Sequence, residues 1–136
     1  MDDKDFSFRN LIVWQKAMQL AKLVYSLVDA FPAVEKYALS DQVRRAVVSI
    51  ASNIAEGCGR ASNRDFAHFL SLARGSLYET MTQLELAKSV GYVESIEEVE
   101  VQAAEISRML TTLIKKHIPL TPFPTTSSSG NSSANS

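Results

Sequence analysis

Residues 11–31, LIVWQKAMQLAKLVYSLVDAF, carry two apolar stripes at helical spacing and decide the fold class. One stripe recurs every three or four residues and comprises Val13, Ala17, Leu20, Val24, Leu27 and Phe31. A second stripe lies beside it and comprises Trp14, Met18, Ala21, Tyr25 and Val28. A helix with one partner surface needs one stripe, so two stripes predict a wide apolar face. Pro32 pushes the residue before it out of the helical conformation and predicts the end of this helix at Phe31.

Three further segments, at about 40–56, 63–90 and 96–118, show the same spacing of apolar residues. The residues predicted to cap or end these helices are Gly57, Ser62, Gly91, Ser95 and Pro119. Ser95 opens a full capping box, with Glu98 three residues later. Four helices joined by short connections predict an all-α fold, an antiparallel up-down four-helix bundle.

The composition indicates a helical body followed by a polar tail. Residues 1–118 contain four Gly and one Pro, which are too few for the many turns of a sheet or barrel. This segment carries all 29 charged side chains and is predicted to be a single domain. Residues 119–136 hold six Ser, three Thr, three Pro and no charge, which predicts a disordered tail.

Several functional classes lack the residues that they require. Cys58 is the only cysteine, which excludes an intrachain disulfide and a multi-cysteine zinc site. The acidic start of the chain predicts no signal peptide, and no apolar run is long enough to span a membrane. His68 and His117 stand in no pattern typical of a di-iron bundle or a helical-bundle ribonuclease. We therefore predict a cytoplasmic, non-enzymatic protein with no metal, no cofactor, no membrane partner and no evident small-molecule substrate.

Polar residues adjoin the apolar stripes of the second and third predicted helices and form a predicted polar seam. Its members are Gln42, Arg45, Ser49, Asn53, Glu56, Gly75, Ser76 and Glu79. Because Gly inside a helix is tolerated where another backbone approaches closely, Gly75 predicts close packing of these two helices. The pairs expected across the seam are Arg45 with Glu79 or Glu56, and Asn53 with Ser76. Two interpretations stay open: a structural seam that fixes helix register, or a site for a ligand or nucleic acid.

Arginines are concentrated in the middle of the chain. The net charge of −1 and the pI near 6.1 give no overall attraction to nucleic acid. The candidates for nucleic-acid contacts are nevertheless Arg44, Arg45, Arg60, Arg64 and Arg74. Arg60 and Arg64 flank the predicted start of the third helix, where free backbone N–H groups also attract anions. The alternative is an ordinary solvated helix face.

Residues 42–60, QVRRAVVSIASNIAEGCGR, resemble the signature of the 23S ribosomal RNA intervening-sequence (S23) protein family. Two further motifs are similar to this family, VWQKA at 13–17 and ARGSLYE at 73–79. Phe66, Phe69 and Leu70, which lie between the motifs at 42–60 and 73–79, also resemble the family. The resemblance covers residues from about 8 to 118.

The resemblance implies a small bacterial protein without enzymatic activity that assembles as a ring, most simply a homopentamer. It also implies a distant similarity to accessory variability proteins of diversity-generating retroelements, and RNA or a ribonucleoprotein as a partner. The second stripe of the first helix supplies the candidates for contact with a neighbouring subunit: Trp14, Met18 and Tyr25. The alternatives are a wide stripe that only reflects a central place in the bundle, and a self-associating scaffold with no nucleic-acid role.

Overall fold

The computed structural model describes residues 4–118 and is helical, as predicted. Its four long helices are α1 (Ile12–Val28), α2 (Leu39–Cys58), α3 (Asn63–Ser89) and α4 (Glu97–His117). Short 3-10 segments at Lys4–Asn10 and Ala33–Glu35 precede α1 and α2. Residues 4–118 contain no strand, and no helix among them has the length and apolar character that would let it cross a bilayer. The predicted disordered tail lies outside the described residues.

The helices surround one apolar core. Each contacts its neighbours in the order α1, α2, α3, α4, and α1 also contacts α4. The core takes fully buried side chains from all four helices, among them Leu20, Ile50, Leu77 and Leu110. Val13, Ala17, Leu20 and Val24 of the first stripe face this core, and so does Val28, which was assigned to the second stripe. Leu27 of the first stripe is only partly buried, and Met18 and Tyr25 of the second stripe are 39% and 42% exposed. The second stripe therefore has no complete cover within the described chain.

Two predicted helix ends differ from the structure. Helix α1 ends at Val28, because the chain turns there and the Phe31 N–H donates to the Val28 carbonyl at 2.9 Å. This turn returns the Phe31 ring to the core, where it lies 5.5 Å from the Tyr92 ring. Helix α2 continues through Gly57 to Cys58, so Gly57 is a helical residue and not the predicted cap.

The helix starts show one prediction confirmed and one wrong. The Ser62 hydroxyl accepts the Asp65 N–H at 3.1 Å, as an N-cap does. The predicted capping box at Ser95 does not form, since Ser95 Oγ accepts from the Glu97 N–H at 3.1 Å and Ile96 stands at the cap. Gly91 follows α3 with φ at +88°, a conformation that side chains disfavour, and this ends the helix.

The close approach of α2 and α3 occurs at Gly57, so the prediction of close packing at Gly75 was wrong. A Cβ at Gly57 would lie 2.9 Å from both Phe66 Cδ1 and Phe69 Cβ, which is inside van der Waals contact. A Cβ at Gly75 would meet nothing within 4 Å, and Gly75 is exposed. Gly75 therefore costs α3 about 1 kcal/mol of helix propensity, and no packing contact within residues 4–118 accounts for it.

The α3–α4 connection is fastened to the start of α2 by a carboxylate. The Tyr92 hydroxyl donates to Glu35 Oε2 at 2.6 Å, and the Leu39 N–H donates to Glu35 Oε1 at 3.2 Å. The hydrogen bond from Tyr92 and then that from Leu39 favour the charged carboxylate and lower the pKa of Glu35 below its ordinary value of 4.5. The same contact, with some burial, raises the pKa of Tyr92 above 10.0.

Tyr92→Phe is expected to remove a pH-dependent part of the stability. The lowered pKa of Glu35 contributes stability above pH 4.5, which is lost as the pH falls through the lowered value. The raised pKa of Tyr92 contributes stability below pH 10.0, which is lost as the pH rises through the raised value. The urea midpoint of the wild type should exceed that of Tyr92→Phe near neutral pH, and the gap should narrow at a pH below the lowered pKa of Glu35. A gap of equal size at both pH values would contradict this account.

Candidate functional site

An apolar groove runs along the outside of the bundle between α1 and α2. Its volume is about 640 Å³. The apolar side chains that line it are Trp14, Met18, Ala21 and Tyr25 from α1, with Val48, Ala51 and Ala55 from α2. The structure thus brings together all three predicted interface residues and adds three from α2. The sequence signal for the added residues was Val48 beside the buried Val47, an apolar residue that the heptad stripe of α2 does not need.

The exposed apolar side chains of the groove form one continuous patch instead of being scattered singly over the surface. Met18, Tyr25 and Val48 are each about 40% exposed, at 39%, 42% and 43%. Trp14 is half-buried, and its ring is held by an edge contact with Phe8 at 5.2 Å between centroids. Contiguous apolar surface bounded by polar residues marks interaction sites on soluble proteins.

Charged side chains stand at the rim of the groove. Arg44 lies 5.6 Å above the Tyr25 ring, and its Nη2 is 3.6 Å from Asp29 Oδ1. Lys22 lies on the same rim, is exposed, and forms no ion pair within residues 4–118. The groove therefore has an apolar floor and one cation whose charge is not neutralised by a described neighbour.

The polar seam is smaller than predicted and is centred on Ser49. The Ser49 and Ser76 hydroxyls lie 2.9 Å apart and join α2 to α3. The Asn53 amide donates to the Ser49 carbonyl at 2.8 Å and to its hydroxyl at 2.9 Å. All three residues are half-buried. Asn53 therefore reaches Ser76 through Ser49, and not directly as predicted.

The remaining seam residues do not pair across the two helices. Arg45 Nε contacts Asp41 Oδ2 at 3.0 Å, and Arg60 Nη2 contacts Glu56 Oε2 at 3.0 Å. The predicted pairing of Arg45 with Glu79 or Glu56 was wrong, because a partner one turn away on the same helix lies closer. The other seam residues, which are exposed, are Gln42, Gly75 and Glu79.

The five predicted nucleic-acid contacts do not form one surface. Arg44 and Arg45 lie in the first half of α2, where each faces a carboxylate, Asp29 and Asp41 respectively. Arg74 lies in the middle of α3 and donates to Thr111 Oγ1 of α4 at 3.1 Å. Arg60 lies in the connection between α2 and α3, and Arg64 lies in the first turn of α3.

Two lysines that were not predicted from the sequence join this pair at one end of the bundle. The His117 ring packs edge-on against Phe66 with centroids 4.7 Å apart, so the end of α4 lies beside the start of α3. The exposed cations gathered here, which we call the basic end, are Arg60, Arg64, Lys115 and Lys116. The opposite end of α4 carries acids at Glu97, Glu98 and Glu100. Charges of opposite sign therefore gather at the two ends of α4. The basic end could have been predicted from the sequence, because an antiparallel order of helices places the end of α4 beside the start of α3.

Cys58 and His117 carry side chains that can act in catalysis, but the Cys58 thiol is partly buried and the His117 ring is hydrogen-bonded. Cys58 is half-buried, and burial raises the pKa of its thiol above 9.0, the opposite of what an activated thiolate needs. His117 Nδ1 lies 2.9 Å from the Leu113 carbonyl and hydrogen-bonds to it. Within residues 4–118, no three His, Cys, Asp or Glu side chains stand in an arrangement that could hold a metal ion.

Two comparisons bear on this architecture. A family model described as "23S rRNA-intervening sequence protein" matches residues 9–112. The chain is also similar to a crystal structure from Bacteroides thetaiotaomicron VPI-5482, described as a protein of unknown function from the S23 ribosomal protein family. The two share 29% sequence identity and superpose with a TM-score of 0.70, over 76% of this chain and 99% of the other. No curated protein matches at a significant level.

Proposed function

Because the chain belongs to the 23S rRNA-intervening sequence protein family, we propose that it is a non-enzymatic protein that self-associates through the groove between α1 and α2. The observation that carries this proposal is the contiguous exposure of Met18, Tyr25 and Val48 on one side of the bundle. The resemblance to the family supports a ring of subunits, and five is the number that we propose.

Filling the groove with a second copy of this chain would bury its exposed apolar side chains. Burying a Met, Val or Leu side chain completely is worth about 1.5–3 kcal/mol, so each of these half-exposed residues has on the order of 1 kcal/mol to gain. Stable interfaces cover about 800 Å² on each partner, which is more than one groove provides. In a ring each subunit uses two different surfaces and every groove is filled, so each subunit is held by two interfaces instead of one.

Trp14 is the only tryptophan and therefore reports on the groove alone. If subunits fill the groove, diluting the protein through its dissociation range should shift the Trp14 emission to longer wavelength. The shift should follow the fall in sedimentation coefficient over the same concentrations. An emission maximum that stays constant while the assembly dissociates would place the interface elsewhere.

The basic end supports a second part of the proposal, contact with RNA. An aromatic side chain lies beside its cations: Arg60 is 4.7 Å above the Phe69 ring, and His68, which packs edge-on against the same ring, is exposed and can stack on a base. In a cyclic assembly every subunit points the same way along the ring axis, so one side of the ring would collect all the basic ends. Several weak contacts made at once would then give useful affinity.

Replacing Arg60, Arg64, Lys115 and Lys116 together by Gln is expected to weaken binding to an RNA hairpin and to reduce its salt dependence. For every phosphate that the variant no longer neutralises, the slope of log affinity against log salt should fall in magnitude by about 0.7–0.9. The matched control, Lys36, Arg45, Arg74 and Lys88 replaced by Gln, removes the same number of cations away from the basic end and the groove rim and should keep the wild-type slope. Fluorescence anisotropy at several salt concentrations measures both.

Wild-type protein that fails to bind the hairpin even at low salt would contradict the RNA part of the proposal. The self-association part would be unaffected by that result. The protein would then be the alternative, a self-associating scaffold without a nucleic-acid role.

A further inference from the structure

One face of α3 points directly away from the core and contains an unexplained glycine. Leu72, Gly75 and Glu79 follow one another at spacings of three and four residues, so they share this face. Leu72 is 43% exposed, and the space over Gly75 is open to at least 4 Å. Gly75 weakens the helix, and nothing in residues 4–118 packs against it. The feature that would justify a glycine here, a close neighbour, is thus absent among the residues that the structure describes.

This face is complementary in charge to the groove rim. Glu79 is exposed, and its described contact is a 3.4 Å hydrogen bond from the Gln83 amide. Lys22 is the rim cation without an ion pair in the described chain. An acid on one surface and a base on the other would bring two copies together in one orientation.

The spacings along the two helices also correspond. At a rise of 1.5 Å per residue, Trp14 and Lys22 are about 12 Å apart along α1, and Leu72 and Glu79 are about 10.5 Å apart along α3. With α3 of one copy parallel to α1 of another, Leu72 lies over Trp14 when Glu79 lies near Lys22. Gly75 then lies opposite Met18, where the missing side chain leaves room for the thioether.

We infer that the face of Leu72, Gly75 and Glu79 on α3 is the second half of the subunit interface and fills the α1–α2 groove of the next copy. This inference rests on the proposed self-association and supplies what a ring needs, two different surfaces on each subunit. It assigns to Gly75 the role of a point of close approach between chains.

Gly75→Gln in the full chain tests the inference by sedimentation over a dilution series. The variant should dissociate at a subunit concentration at least tenfold above that of the wild type. Its helix content should be unchanged, because a Cβ at position 75 meets no atom of residues 4–118 within 4 Å and the position is exposed. Ala104→Gln is the matched control, since Ala104 is exposed on α4 and outside both surfaces.

A charge exchange tests the register independently. Lys22→Glu and Glu79→Lys should each weaken the assembly, and the double variant should restore it. Wild-type assembly by Gly75→Gln, or the absence of any rescue, would overturn the inference while leaving the proposed self-association intact. A wild-type chain that stays monomeric would overturn both.

Discussion

Met18→Glu is expected to leave the chain as a folded monomer of 15.0 kDa. Met18 is 39% exposed on α1 and lies in the floor of the groove between Trp14 and Tyr25. A carboxylate here remains hydrated in the free subunit, so folding should be little affected. In the assembly the same carboxylate would be covered by apolar side chains, and an unpaired buried charge costs several kcal/mol. At 1.4 kcal/mol for each tenfold change, that weakens association by at least a hundredfold.

Gln19→Glu is the matched control for this substitution. Gln19 is exposed on α1, one residue away, and its side chain does not line the groove. Both variants add one negative charge to the same helix, so a general effect of charge would change both. Light scattering should show a monomer for Met18→Glu and the wild-type mass for Gln19→Glu, with equal helicity by circular dichroism. Assembly of Met18→Glu at wild-type concentrations would show that the groove is not the interface.

Gly57→Ala is expected to lower the free energy of unfolding by about 2 kcal/mol. The new methyl group would lie 2.9 Å from Phe69 Cβ, an atom close to the backbone that cannot move without shifting α3. Overpacking of this kind costs about 1–3 kcal/mol and should outweigh the better helix propensity of Ala. Urea denaturation measures the loss.

Gly59→Ala separates the steric effect from the general effect of removing a glycine. A Cβ at Gly59 would meet the Glu56 carbonyl oxygen at 3.5 Å, which is ordinary contact. This variant should remain within about 0.5 kcal/mol of the wild type. Because Phe66 Cδ1 also lies 2.9 Å from the Gly57 position, Gly57→Ala with Phe66→Leu should cost less than the two changes summed. Equal stability of Gly57→Ala and Gly59→Ala would contradict the close approach.

The helical spacing of apolar residues was enough to predict the fold, because the residues that a helix buries must lie on one of its faces. Val13, Ala17, Leu20 and Val24 are spaced to face one side of α1, and that side faces the core. The second stripe on α1 likewise predicted the exposed Met18 and Tyr25, since a four-helix core covers one face of each helix. The end of α1 was not predicted, because the turn at Val28 depends on the return of Phe31 to the distant Tyr92.

Pairing between helices was harder to predict than the helices themselves. The sequence does not show whether Gly57 or Gly75 lies where two helices approach closely. In the structure, Phe66 and Phe69 pack against Gly57. Arg45 could have paired with acidic residues of two helices, and in the structure it pairs with the Asp41 carboxylate one turn away on its own helix. Proximity in three dimensions, rather than residue type, therefore determined most of the seam.

The mass of the wild-type full chain in native mass spectrometry tests the self-association most directly. We predict a single species of defined subunit number, five times the 15.0 kDa chain for the proposed pentamer. Another discrete number would keep the association and correct the ring size. A 15.0 kDa species alone at all concentrations would contradict the account.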